Sequence, residues 1–185
     1  MLNEIKNELE KSMQKGIESL KYQLTKVRTG RANPVVLDGV VVDYYGTPTP
    51  VKQVGQVSTP EARLLQIQPY DKSLIAAIEK SILGANLGLT PSNDGNLIRI
   101  PFPALTEEKR KDQVKEIKKL GEDSKIAIRN IRREQNEKVK RAEKDKEVSE
   151  DDSKKIQAEI QATTDKYVKE VDVIISNKEK EIMTI

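Results

Sequence analysis

Apolar residues recur along the first stretch of the chain at intervals of three and four: Leu2, Ile5, Leu9, Met13, Ile17, Leu20, Leu24 and Val27. That spacing puts them on one face of a helix. Gly30 and Pro34, within KVRTGRANP (26–34), end it. Beyond Pro34 the helical period is lost. VVLDGVVVDYY (35–45) is rich in β-branched and aromatic residues and predicts a strand, broken at Asp38 and Gly39, while GTPTP (46–50) predicts a loop. LLQIQPY (64–70) and NLIRIPF (96–102) predict two further strands. Between them Asp71 can cap a short helix carrying Leu74, Ile75, Ile78 and Ile82, closed by Gly84 or Gly88.

Helical patterning resumes at Thr106, whose hydroxyl can cap free amides and whose followers Glu107 and Glu108 suit the positive helix end. This second long helix is expected to run to about Lys146 along the seam Val114, Ile117, Gly121, Ser124, Ile128, Ile131 and Gln135. Gly121 costs about 1 kcal/mol relative to alanine, which a close helix crossing would offset. Ser149, with Asp152 three residues on, opens a third long helix carrying Ile156, Ile160, Tyr167, Val171, Ile174 and Ile182. No single helix has a core of its own, so the three are expected to form one bundle. The fold class is therefore α+β with two domains. Residues 1–30 and 105–185 make an elongated antiparallel three-helix bundle, and residues 31–104 make a small β/α/β domain inserted between the first and second helices. The two connections, around Gly30 and at Ala104 and Leu105, carry the whole join. At ~1.5 Å per residue the first helix is about 40 Å long and the second about 60 Å, a rod with a knob near one end.

Composition narrows the chemistry. The 185 residues include no cysteine and no histidine, which excludes Ser-His and Cys-His pairs and leaves only carboxylates for any metal. The densest acid cluster, VSEDDS (148–153), reads as helix capping and dipole compensation, not as a metal site. No phosphate-binding loop occurs, and NLGLTPSNDG (86–95) reads as a loop. No enzyme activity, cofactor or metal is expected. No apolar run approaches the ~20 residues of a membrane span, and MLNEIKNELE mixes both charges from its start, unlike a signal peptide. The expectation is a cytoplasmic protein that begins at Met1 and meets no membrane.

A third of the residues are charged, yet the net charge is only +3, so a nucleic-acid site has to come from local segregation. On a helical wheel of residues 111–140, Lys111, Lys115, Lys118, Lys125, Arg129, Arg132, Arg133 and Lys140 fall within one arc of about 100°, with Glu122 the single acid among them. Lys119 and Lys138 lie outside it, and the acids Asp112, Glu116, Asp123, Glu134 and Glu137 occupy a separate arc. The arginines of RNIRRE (129–134) present fork-shaped donors that match phosphate oxygens. Without interleaved aromatics, contact to the backbone of a folded RNA fits better than base stacking.

KVRTGRANP, VDYYGTPTP, LGLTPSNDG, IRIPFPALTEEKRKD, RNIRRE and KDKEVSEDD together resemble the bacterial ribosome recycling factor family, from one end of the chain to the other. The resemblance implies that the bundle and the small domain form an L of roughly transfer-RNA size. It implies a translation factor that acts with elongation factor G and GTP to split the post-termination ribosome into subunits. It also implies that the bundle lies on large-subunit ribosomal RNA. By matching motif, RNA contact falls to Arg110, Arg129 and Arg132, then to Arg133 and Arg28, with Lys118 and Lys125 added from the basic stripe. The hinge role falls to Gly30, Arg31, Ala104 and Leu105. Lys109 stands where the family more often has arginine. A monomer is expected. Taken by itself VDYYGTPTP reads as a strand and tight loop with Tyr44 or Tyr45 in the small core, whereas the family resemblance implies that this domain contacts a partner. The alternative from another class is a helical adaptor or chaperone gripping protein clients, which apolar surface left over after bundle packing would favour.

Overall fold

The computed structural model describes residues 1–184. In chain order its elements are α1 (Leu2–Thr25), β1 (Val41–Tyr44), β2 (Thr47–Pro50), β3 (Gly55–Glu61), β4 (Leu64–Pro69), α2 (Ile75–Gly84), β5 (Ser92–Asn93), β6 (Ile98–Pro101), α3 (Glu107–Lys144) and α4 (Glu150–Thr184). Short 3-10 turns cover Pro34–Leu37, Val51–Gln53 and Lys72–Leu74. Contacts divide the chain into two compact units, Met1–Val27 with Lys111–Thr184 and Arg28–Arg110. The α+β class holds, with the small antiparallel sheets lying in sequence between α1 and the later helices.

In the helical unit the predicted face of α1 is buried from Ile5 through Val27, and it shares one core with Ile117, Ile128 and Val139 of α3 and Ile156, Ile160, Tyr167, Val171 and Ile182 of α4. Cross-helix contacts fix the directions. Lys6 pairs with Glu159, and the Tyr167 hydroxyl donates to Gln14 at 3.4 Å, so α1 and α4 run parallel. Lys118 meets Glu179, Lys125 meets Asp172 and Arg132 meets Gln161, so α3 runs against α4. Gly121 sits where those two helices press together: a Cβ there would lie 2.7 Å from Ile175 Cγ1. The expected caps form. Thr106 Oγ1 accepts from the Lys109 N–H at 3.3 Å, and Ser149 Oγ accepts from the Asp152 N–H at 3.1 Å while donating to its carboxylate at 2.8 Å. α1 ends at Thr25, short of Val27, because the Val27 N–H turns back to the Leu24 carbonyl and tightens the last turn.

The second unit is a four-stranded antiparallel sheet in the order β3-β4-β6-β5, a two-stranded β1-β2 hairpin, and α2. Its core gathers Leu37, Val40, Val42, Leu65, Ile67, Ile78, Ile82, Ile98 and Ile100. The predicted strands at 64–70 and 96–102 are present as β4 and β6, and Asp71 caps the helical turn before α2 by accepting from the Ser73 N–H at 2.9 Å. Four readings need correction. Residues 34–37 form a 3-10 turn, since Asn33 Oδ1 caps the Val35 N–H and Pro34 sits at the helix start, so only Val41–Tyr44 remains strand. GTPTP is mostly strand, because a two-stranded hairpin has only edges and so tolerates Pro48 and Pro50. The 86–95 loop contains a two-residue strand, β5. Tyr44 and Tyr45 are 40% and 79% exposed, outside the core, because β1 contributes only Val42 to it. β3 had no expectation at all: GQVSTPE offers one aliphatic side chain, Val57, and it pairs through its backbone with β4.

Replacing Gly121 with alanine is expected to lower stability by up to about 2 kcal/mol in urea titration, an overpacking cost of about 1–3 kcal/mol against Ile175 being offset in part by a helix-propensity gain of about 1 kcal/mol. An acid titration probes the β5–β6 turn. The Asn96 and Leu97 N–H groups, with Arg99 beside them, hold the Asp94 carboxyl down to about 2 from its ordinary 3.8. A carboxyl depressed by folding stabilises the fold above its unfolded pKa, and that contribution is lost as pH falls through the folded one. The stability deficit of Asp94→Ala should therefore be full above about pH 4 and shrink towards pH 2 in chemical denaturation.

Candidate nucleic-acid interface

α3 is a single 38-residue helix from Glu107 to Lys144, and the apolar Ile117, Ile128, Val139 and Ala142 turn inward together with the polar Gln135. Every other side chain is therefore fixed in azimuth by the core. The basic stripe flanks that core on one side and extends outward, and the structure divides it lengthwise.

The edge nearer α4 is occupied by contacts within the bundle. Lys125, with its side chain 16% exposed, bonds Asp172 and lies 3.3 Å from Glu122. The Asp172 carboxylate, helped by Glu122, holds its ammonium above the usual lysine range, so it stays cationic. Lys118 lies 3.5 Å from Glu179, and Arg132 donates to Gln161 Oε1 at 3.2 Å. These three long side chains lay their stems over the α3–α4 seam.

The outer edge is different. Arg129, Arg133 and Lys115 are exposed and make no ion pair or side-chain hydrogen bond among the described residues. Lys140 is exposed too, 3.8 Å from Glu137. Arg129 and Arg133, four residues apart, stand one above the other, about 6 Å between Cβ atoms. An unpaired guanidinium keeps all five donors available to an oxyanion.

The remaining predicted site residues lie in the other unit. Arg110, half-buried in the first turn of α3, bonds the Thr106 carbonyl through its N–H at 2.9 Å. Arg28 is exposed and donates through its guanidinium to the Leu87 carbonyl within the small unit, whereas Arg129, Arg132 and Arg133 belong to the helical one. Gly30 adopts φ +85°, a conformation open to glycine and strained for other residues. Arg31 is exposed, and its N–H reaches back to Thr29 Oγ1 at 3.4 Å; Ala104 is exposed and Leu105 half-buried.

Residues 20–183 match the family model described as Ribosome recycling factor. The chain belongs to that family. A ribosome-recycling factor of Syntrophomonas wolfei subsp. wolfei is 51% identical over 185 residues, and one of Staphylococcus aureus is 50% identical over 184; each alignment covers both chains completely. A solution structure of a ribosome recycling factor superimposes with a TM-score of 0.77 at 38% identity, covering 100% of this chain and 98% of that one. A second structure gives 0.66 at 43% identity, covering 98% of each chain. It describes the T. thermophilus ribosome recycling factor and the E. coli elongation factor G bound to the E. coli post-termination complex. Among the described residues no helix is long and apolar enough to cross a membrane.

The wheel alone held no signal for the split between bound and free cations, because that depends on which acids α4 presents opposite. Thermal melting checks the split. Lys125→Ala should lower stability by about 1 kcal/mol through loss of its partly covered ion pair, whereas Arg129→Ala should be neutral within about 0.5 kcal/mol.

Proposed function

We propose that this recycling-factor chain binds the ribosome through the outer row of α3 and, with elongation factor G and GTP, disassembles the post-termination complex into subunits. The observation that carries the binding step is the unpaired Arg129 and Arg133, with Lys115 farther along the same helix face, all three exposed. Family membership supports the cellular role, and the recycling-factor structure with elongation factor G supports the choice of partner. Large-subunit ribosomal RNA is the proposed ligand, since phosphate oxygens match the guanidinium forks and the row carries no aromatic on which bases would stack.

In this reading the row neutralises phosphates at contact, while the buried apolar positions and the paired inner cations Lys118 and Lys125 keep α3 seated against α4. Arg132 and Arg110 are half-covered and contribute at the margins of the contact. The two chain crossings at Gly30–Arg31 and Ala104–Leu105 are the proposed hinge through which the partner GTPase displaces the small domain while the bundle stays bound. The chain acts as a translation factor without bond-making chemistry of its own, and the partner's nucleotide supplies the work.

The test combines binding and splitting. With about four phosphate contacts, log affinity for purified ribosomes should fall against log salt with a slope of roughly −3 to −4, and Arg129→Glu with Arg133→Glu should flatten it by about 2. The same double variant should lose subunit splitting with elongation factor G and GTP while melting like the parent. An unchanged slope would move the interface off this face, and undiminished splitting would remove the proposed role of the row.

A further inference from the structure

The small domain carries a cleft that the ribosomal RNA reading leaves unused. The chain is poor in aromatics, with five tyrosines and one phenylalanine, yet three of those tyrosines gather in one exposed place. Tyr44, Tyr45 and Tyr70 are 40%, 79% and 75% exposed. Tyr44 and Tyr70 line a cleft of about 160 Å³ in which Asp71 is the only charged residue. The Tyr45 ring stands edge-on to Tyr44 at 4.7 Å, and its hydroxyl donates to Asp71 Oδ2 at 3.0 Å. Asp71 Oδ1 is already used by the N–H and hydroxyl of Ser73. A carboxylate offers about four acceptor positions, so Oδ2 keeps one open.

Two features set this corner apart from scattered surface tyrosines. Tyr45 holds φ +49° at a turn position where glycine or asparagine is unstrained, so a backbone cost is accepted to keep its ring and hydroxyl there. The flanking cations are also engaged elsewhere: Lys52 pairs with Asp38 at 2.5 Å, and Lys72 donates to Asn96 at 2.6 Å. What faces a ligand is aromatic surface plus one carboxylate. Ser73 and Tyr45 hold that carboxyl below its ordinary range, so it remains ionised.

We propose that this cleft receives a side-chain cation of a protein partner, arginine foremost, its guanidinium stacked on the tyrosine rings and donating to Asp71 Oδ2. Aromatic faces attract cations, and guanidinium stacks on them while keeping its in-plane donors for a carboxylate. A nucleic acid fits poorly, because its phosphates would meet Asp71 with no lining cation to offset the repulsion. The proposal does not depend on α3 meeting RNA.

NMR of the tyrosine rings in the full chain tests it directly, since five rings are few enough to resolve. A blocked Gly-Arg-Gly peptide should shift the Tyr44 and Tyr70 ring signals saturably, and the neutral citrulline analogue should bind weaker by roughly fivefold or more. Asp71→Asn, which keeps a capping side chain for Ser73, should weaken the arginine peptide and leave the citrulline peptide unchanged. Tyr70→Leu, at an exposed position, should abolish the response. Equal shifts from both peptides, no shifts, or an arginine response that survives Tyr70→Leu would each overturn the proposal. Saturable shifts from a short oligouridine exceeding those from the arginine peptide would overturn it as well, by making the cleft a base-stacking site.

Discussion

The apolar face of α1 can be dehydrated only by α3 and α4, which the chain reaches after building the whole of the small domain. Met13, Ile17 and Leu20 are fully buried in a core whose other walls are Ile117, Ile128, Ile160 and Val171. Burying each such side chain contributes about 1.5–3 kcal/mol, and α1 gains none of it alone. Everything else in the helical unit is set by this requirement. The parallel run of α1 and α4, the opposed run of α3 and the close approach at Gly121 are one solution to covering three thin apolar stripes. The rotation of α3 follows from it, and with that rotation the position of every arginine on its outer face.

The small domain answers the same demand differently. Its strands are short, and its core depends on alternate residues of β4 and β6, Leu65 and Ile67 against Ile98 and Ile100, with Ile78 and Ile82 of α2. β3 adds little apolar surface and is held by backbone pairing. Gly55 there allows an approach so tight that a Cβ would come within 2.8 Å of the Gln68 carbonyl. Two modes of assembly thus coexist in one chain, side-chain burial along helices and hydrogen-bond pairing at a sheet edge.

That contrast decides what could be read from the residues. The bundle was legible because a helix writes its buried face as a local three-and-four spacing, and Ile5 through Val27 follow it without a break. Caps were legible for the same reason: Thr106, Ser149 and Asp71 act on amides two or three residues away. The hairpin GTPTP and strand β3 were hidden, since proline in an edge strand and a single Val57 leave no period to detect. From residue type Tyr44 and Tyr45 fitted either the small core or a partner surface, and only the fold, in which Val42 is the one buried residue of β1, leaves them exposed. Charge segregation on α3 was visible in the wheel. Which of its cations are occupied was not, because Asp172, Glu179 and Gln161 come from a helix distant in sequence.

The pairing of the inner cations has a kinetic side. Lys125 with Asp172, and Lys118 with Glu179, each present a dipole to their surroundings, and a dipole's field decays faster with distance than that of a single charge. At physiological ionic strength a free charge is already attenuated beyond about 8 Å. In the proposed encounter, the attraction felt by a polyanion before contact would thus come from the cations without a carboxylate partner, Arg129, Arg133 and Lys115, with Arg132, whose partner Gln161 is neutral, beside them. On the proposed reading the stripe would guide an encounter with fewer charges than it holds, and because they lie along one side of the helix, orientation would be selected while the partners are still separated by water.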